Sequence, residues 1–116
     1  MTVNECYTLM QGDYQDVLGR LMTDARIQKY LGKFAAGTDY SQLLSALEEQ
    51  RYEEAFRFSH NLKGMCLNLG LSVLAASSST LCEALRNGPP TVDVAPMLAQ
   101  VTADYNMVID AISQLQ

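Results

Sequence analysis

The chain has no tryptophan, one histidine, three prolines and three cysteines in 116 residues. Each scarcity excludes something. One histidine, with no Glu-x-x-His pair, leaves too few ligands for a metal or haem bundle. Cys6, Cys66 and Cys82 are odd in number and lack C-x-x-C spacing, which argues against a disulfide framework and fits free thiols in a reducing cytoplasm. No apolar run approaches the ~20 residues of a spanning helix. The amino terminus has neither a basic nor an apolar leader region, so no signal peptide is expected. Basic charge is short as well. Eight Lys plus Arg against 13 Asp plus Glu give a net charge of −5, which repels phosphate backbones, and nucleic-acid binding is not expected. A Gly-rich nucleotide loop is missing, and with it any sign of kinase activity. What remains, 48% hydrophobic and 18% charged, reads as one folded domain over residues 1–116.

Strand signals are nearly absent, and helical periodicity runs through the chain. Val94, Leu98, Val101, Tyr105, Val108, Ile112 and Leu115 step by three and four. Asn87-Gly88-Pro89-Pro90-Thr91 before them offers a stop, a rigid turn and a helix N-cap at Thr91. Upstream, Leu71, Leu74, Ala75, Ser78, Leu81, Cys82 and Leu85 form a second stripe, whose small run Ala75–Thr80 suits close packing against a neighbouring helix. Gly70 fits a left-handed C′ position in the short link to the preceding helix, so the two helices run antiparallel.

In the amino-terminal third, Asp13 caps a helix carrying Tyr14, Val17, Leu18 and Leu21. Thr23 caps another carrying Ile27, Tyr30, Leu31 and Phe34. The apolar phase slips around Gly37-Thr38-Asp39, where a helix either breaks or twists to serve two neighbours. The expected architecture is all-α: an antiparallel four-helix bundle with a short additional amino-terminal helix, monomeric. Phe34, Leu44, Ala55, Phe58, Leu62, Leu69, Leu74, Leu81, Val101 and Val108 are expected in its core.

The informative segment is Arg51–Gly70. With Leu62 at 0° and 100° per residue, Ala55, Phe58, Met65, Cys66 and Leu69 fall within about 60° of it, whereas His60 lands at about 160° and Gly64 at about 200°. The imidazole therefore faces solvent near the middle of the second bundle helix. Gly64 costs ~1 kcal/mol relative to alanine in mid-helix and lies off the core stripe. Its effect is to clear space beside the ring one turn away. Lys63 is close enough for its ammonium to lean over the imidazole. With a reference pKa near ~6.5, imidazole is mostly free base at neutral pH and can attack phosphorus. An in-line displacement then needs open approach, a cation and a metal at the phosphoryl oxygens. His60, Gly64 and Lys63 supply the first two, and the metal has to come from a partner.

Phe56 at about 120° and Leu67 at about 140° flank His60 away from the core stripe. Either they are buried against the helix's other neighbours, or they border an exposed apolar docking patch with Glu53 and Arg57 as its polar rim.

His60-Asn61-Leu62-Lys63-Gly64, followed by Gly70 after five more residues, resembles the H-x-L-K-G-x(5)-G signature of histidine-containing phosphotransfer (HPt) domains. Leu43, Ala46 and Leu47 before it, the Asn68-Leu69-Gly70 ending and the overall length extend the resemblance over nearly the whole chain. Arg51 departs from it, standing where an acidic turn residue is common. The resemblance implies that His60 is the phosphoacceptor, with Lys63 and Gly64 beside the phosphoryl group. It further implies a cytoplasmic phosphocarrier with no kinase activity and no cofactor of its own. The partners implied are a response-regulator receiver domain, a hybrid histidine kinase or both, with Mg2+ coming from the receiver. The alternative is a degenerate HPt-like bundle serving as a non-catalytic adaptor. A sensor-kinase dimerisation domain fits less well, because Asn-Leu-Lys-Gly follows His60 instead of an acidic, proline-containing H-box.

Overall fold

Side-chain caps divide the amino-terminal third into short helices. Thr2 and Glu5 exchange bonds in a capping box, Asp13 Oδ1 accepts from the Asp16 amide, and Thr23 Oγ1 accepts from the Arg26 amide. The computed structural model describes residues 1–115, which contain seven α-helices and no strand: α1 Val3–Met10, α2 Tyr14–Leu21, α3 Asp24–Ala36, α4 Asp39–Glu48, α5 Tyr52–Asn68, α6 Ser72–Leu85 and α7 Ala95–Ser113. The all-α expectation holds. The amino-terminal third is more finely divided than one additional helix, because each cap restarts the chain in a new direction.

At Gly37 the chain breaks. The residue is extended, and Thr38 carries the first turn of α4 through its carbonyl, which accepts from the Gln42 amide. Tyr40 is thereby free to stack on Tyr105 of α7 at 3.9 Å and to donate its O–H to Thr102 Oγ1. The start of α7 corrects the cap expected at Thr91. Residues 89–94 form a loop, and Asp93 Oδ1 accepts from the Ala95 amide, with Pro96 in the first turn. Thr91 and Val92 lie in a bend, so the helix starts beyond them, with Val94 at the N-cap position and the Asp93 carboxylate serving the Ala95 amide.

α4 to α7 pack as sequential antiparallel neighbours, α1 closes against α7, and α3 leans on α7 through Phe34 and Tyr105. Ala75, Ser77 and Ser78 are buried at the helix junctions, as their small size suggests. Of the expected core, Phe34, Ala55, Leu62, Leu69, Leu74, Leu81, Val101 and Val108 are buried. Leu44 and Phe58 are only half-buried. Leu44 lies about 100° round α4 from Leu43, past the Leu43–Ala46 contact line. On α5 the wholly buried Ser59 shows that the inward direction is turned towards Ser59 and Cys66, which leaves Phe58 at the opposite edge.

The α5–α6 turn is where the amino-terminal segment grips the bundle. Gly70 has φ of +67°, the Leu71 amide donates to the Cys66 carbonyl and the Gly70 amide to Leu67, a Schellman closure. A Cβ on Gly70 would lie 2.8 Å from the Asp13 carbonyl oxygen, and one on Gly12 2.6 Å from the Gly70 carbonyl oxygen. Into this contact the Asp13 amide donates to the Gly70 carbonyl at 2.8 Å, and the buried Tyr7 hydroxyl donates to the Leu69 carbonyl at 2.6 Å. Arg20 adds a cap on α5, its guanidinium donating to the Leu67 and Asn68 carbonyls.

Two outcomes are expected. Tyr7→Phe keeps the ring but leaves the Leu69 carbonyl without its buried donor, costing about 1–2 kcal/mol and lowering Tm by roughly 5–10 °C, measured by thermal denaturation. All three thiols are buried and free, and burial pushes the Cys66 thiol up to about 12. A thiol reagent at pH 8 should find none of them in the native protein and all of them in guanidinium. Because the folded state holds the Cys66 proton that the unfolded chain loses near pH ~8.5, its contribution is full below that pH and lost as the pH rises towards 12. Cys66→Ala should flatten this alkaline loss in a Tm-against-pH series.

Candidate phosphotransfer site

α5 is two-sided. Ala55, Ser59, Leu62 and Cys66 are buried on one side, and His60, Asn61 and Gly64 are exposed on the other. His60 is the ninth of its 17 residues. The ring leans on Phe56, one turn earlier, with centroids 5.9 Å apart at 48°. A Cβ built on Gly64 meets nothing within 4 Å, so no neighbouring helix demands a glycine there. Gly64 and His60 border one open hollow.

Two hollows meet at His60. The first, of about 450 Å³, is lined by Glu53, Phe56, Arg57, His60 and Arg86. Four of these form a single i, i+3, i+4, i+7 stripe of α5, and Arg86 crosses from the end of α6 with its guanidinium 5.3 Å from the centre of the Phe56 ring. The second, of about 510 Å³, is lined by Asp39, His60, Asn61, Gly64, Met65 and Asn68. Its Asp39 comes from the first turn of α4. The imidazole thus stands between a side with two guanidinium groups and the Glu53 carboxylate and a side with the Asp39 carboxylate. Lys63 is half-buried, and its charge reaches Glu83 on α6. Among the described residues no three His, Cys, Asp or Glu side chains gather to hold a metal ion.

Of the residues singled out in the sequence, Glu53, Phe56 and Arg57 share a hollow with His60, and Gly64 shares the other. Phe56 is half-buried against the core beneath Arg86. Leu67 is 59% exposed but borders neither hollow, because seven residues along α5 put it about 10 Å further down the axis. Arg86 and Asp39 were not anticipated. A signal for Arg86 exists: in an antiparallel pair turning at Gly70–Leu71, residues equidistant from Leu71 face each other, and Phe56 and Arg86 are such a pair.

The chain is of the class of small antiparallel helical bundles, one that bares its single imidazole beside cationic side chains. Its membership is specific. The family model described as Hpt domain matches residues 35–115, and the chain belongs to that family. No curated protein and no solved structure matches it. Hpt domains are phosphocarriers of histidine-based phosphorelays, where they meet receiver domains and kinases. The match covers the break at Gly37, both hollows and the bundle, while α1, α2 and most of α3 precede it. No helix among the described residues is long and apolar enough to cross a membrane.

The open space at Gly64 has a measurable consequence. Gly64→Ala should raise stability by about 0.5–1 kcal/mol, since the helix gains propensity and meets no clash. Denaturant unfolding checks this, and a loss of stability would mean that the glycine packs against something.

Proposed function

We propose that His60 accepts a phosphoryl group from the aspartyl phosphate of a receiver domain and passes it to the aspartate of another, in a two-component phosphorelay. The carrying observation is the exposed imidazole at mid-α5, open at Gly64 and bordered by Arg57 and Arg86. The unprotonated ring nitrogen attacks phosphorus. The N–P bond forms as the acyl O–P bond breaks, the aspartate carboxylate leaves, and the ring keeps its proton on the other nitrogen.

Each neighbour has a part in this step. Gly64 leaves the in-line path clear. Lys63, Arg57 and Arg86 offset the negative charge of the phosphoryl oxygens at the edge of a low-dielectric surface. Mg2+ is assigned to the acidic site of the receiver domain, whose carboxylates suit a hard cation. Docking is assigned to the apolar and polar stripe Glu53–Phe56–Arg57 around the ring, with the exposed Leu67 as an outlying contact. A transient partner needs only a few such anchors. In this reading the domain acts in the cytoplasm as a monomer, carries no nucleotide and has no kinase activity.

The test is incubation with a phosphorylated receiver domain. Wild type should take up acid-labile, base-stable label. His60→Gln should take up none while keeping its melting temperature, because an exposed side chain contributes little packing. Gly64→Leu should suppress labelling by crowding the ring, and Lys63→Ala should slow it and leave a residue of activity. Full labelling of His60→Gln would refute the assignment, and an unlabelled but receiver-binding wild type would make the protein an adaptor.

A further inference from the structure

Glu83 stands one turn before Arg86 on α6, and both of its carboxylate oxygens accept from that guanidinium: Oε1 from Nη2 at 2.6 Å and Oε2 from Nε at 3.1 Å. A forked pair of this kind fixes the plane of the guanidinium as well as its position. It is in this orientation that Arg86 covers Phe56 and walls the hollow containing His60. The Arg86 hydrogen bonds hold the Glu83 carboxyl below the usual carboxylate range, with a lesser contribution from the charge of Lys63. One carboxylate, itself outside the hollow, therefore interacts with Arg86 on the hollow's wall and with Lys63, three residues along α5 from His60. Glu53 lines the same hollow yet makes no ion pair among the described residues.

We propose that Glu83 is a positioning residue that holds Arg86 at the rim of the His60 hollow in the resting protein and competes with a phosphoryl group on His60 for that cation. The inference rests on His60 being the phosphoacceptor. At rest Arg86 is satisfied by Glu83, so the empty site does not present a bare guanidinium. When the N–P bond forms, the arriving group brings up to two negative charges and three acceptor oxygens, a stronger pull than one carboxylate. The guanidinium can then swing from Glu83 towards the phosphoryl oxygens by side-chain rotation alone. Glu83 is left with less compensation and faces an anion, which favours release of the phosphoryl group to the next acceptor. The carboxylate thus sets how long and how completely the group resides on this protein.

Phosphoramidate is a partner-free probe. A histidine nitrogen attacks its phosphorus, the N–P bond to the amino group breaks, and ammonia leaves. At fixed phosphoramidate and ammonia, the loaded fraction and the half-life of the label after the donor is removed both report on the phosphorylated state. Glu83→Gln should raise the loaded-to-free ratio and the half-life about threefold, the scale of an exposed ion pair, with Tm unchanged. Arg86→Ala should lower both, and adding Glu83→Gln to it should recover less than half of the single-variant gain. Glu53→Gln, the same charge change within the hollow, should give less than half the effect of Glu83→Gln. In proton–nitrogen spectra the Arg86 Nε–H signal should move on loading of wild type and stay put in His60→Gln.

A Glu83→Gln protein indistinguishable from wild type, a gain that persists in full without Arg86, or an equal gain from Glu53→Gln would overturn the positioning role while leaving the phosphoacceptor reading intact. Label on His60→Gln, or none on wild type, would overturn both.

Discussion

The contact at the α5–α6 turn ties the amino-terminal segment to the bundle. Two backbones meet there closer than any side chain permits, at Gly12 and Gly70, and the meeting is fixed by the Asp13 amide, the Tyr7 hydroxyl and the Arg20 guanidinium, each donating to a carbonyl at the end of α5. These carbonyls are among the acceptors that a helix terminus leaves without partners in its own ladder. Satisfying them from residues 7–20 ties the amino-terminal segment to the helix that carries His60. The segment lies ahead of the span matched by the Hpt family, yet it supplies Val3, Cys6, Tyr7 and Met10 to the core. These side chains share one core cluster with Leu62 and Cys66 of α5.

With its end held, α5 buries one side and exposes the other. The buried side runs through Ala55, Ser59, Leu62 and Cys66, small enough for close approach by its neighbours, and the opposite side carries no packing obligation. Gly64 belongs to the second side. Its helix-propensity cost of ~1 kcal/mol is not offset by any packing that requires a glycine there. Small residues on α6 complete the arrangement. Ala75, Ser77 and Ser78 are buried, and Ser78 Oγ has no hydrogen-bond partner, so its hydroxyl serves as a small packing group. The antiparallel pairing of α6 with α5 carries Arg86 to the Phe56 ring and so to the rim of the His60 hollow.

The Glu83–Arg86 pair brings one of its members, Arg86, to the wall of that hollow. In the proposed phosphocarrier, an exposed ion pair of this kind is weak enough for a doubly charged group to displace. His60 itself stands between a hollow lined by Asp39 and one lined by Glu53, Arg57 and Arg86.

Features that rest on local repetition were legible from the residues alone. A 100° step placed His60 and Gly64 away from the core, caps at Asp13 and Thr23 opened helices where they were read, and Gly70 took the left-handed conformation expected of it. Those features depend on a residue and its neighbours within one or two turns. Other features were settled only when helices met. At Gly37 the chain breaks instead of twisting on, and Tyr40 beyond the break stacks on Tyr105 of α7, a contact that no local pattern names. The inward direction of α5 shifted towards Ser59 because it is set by where α4 and α6 lie, so Phe58 moved to an edge that a wheel centred on Leu62 counts as core. Arg86 and Asp39 reach the site from two other helices, at separations of 26 and 21 residues from His60. Helical periodicity states which way a side chain points from its own axis, and the neighbour it points at is fixed by packing.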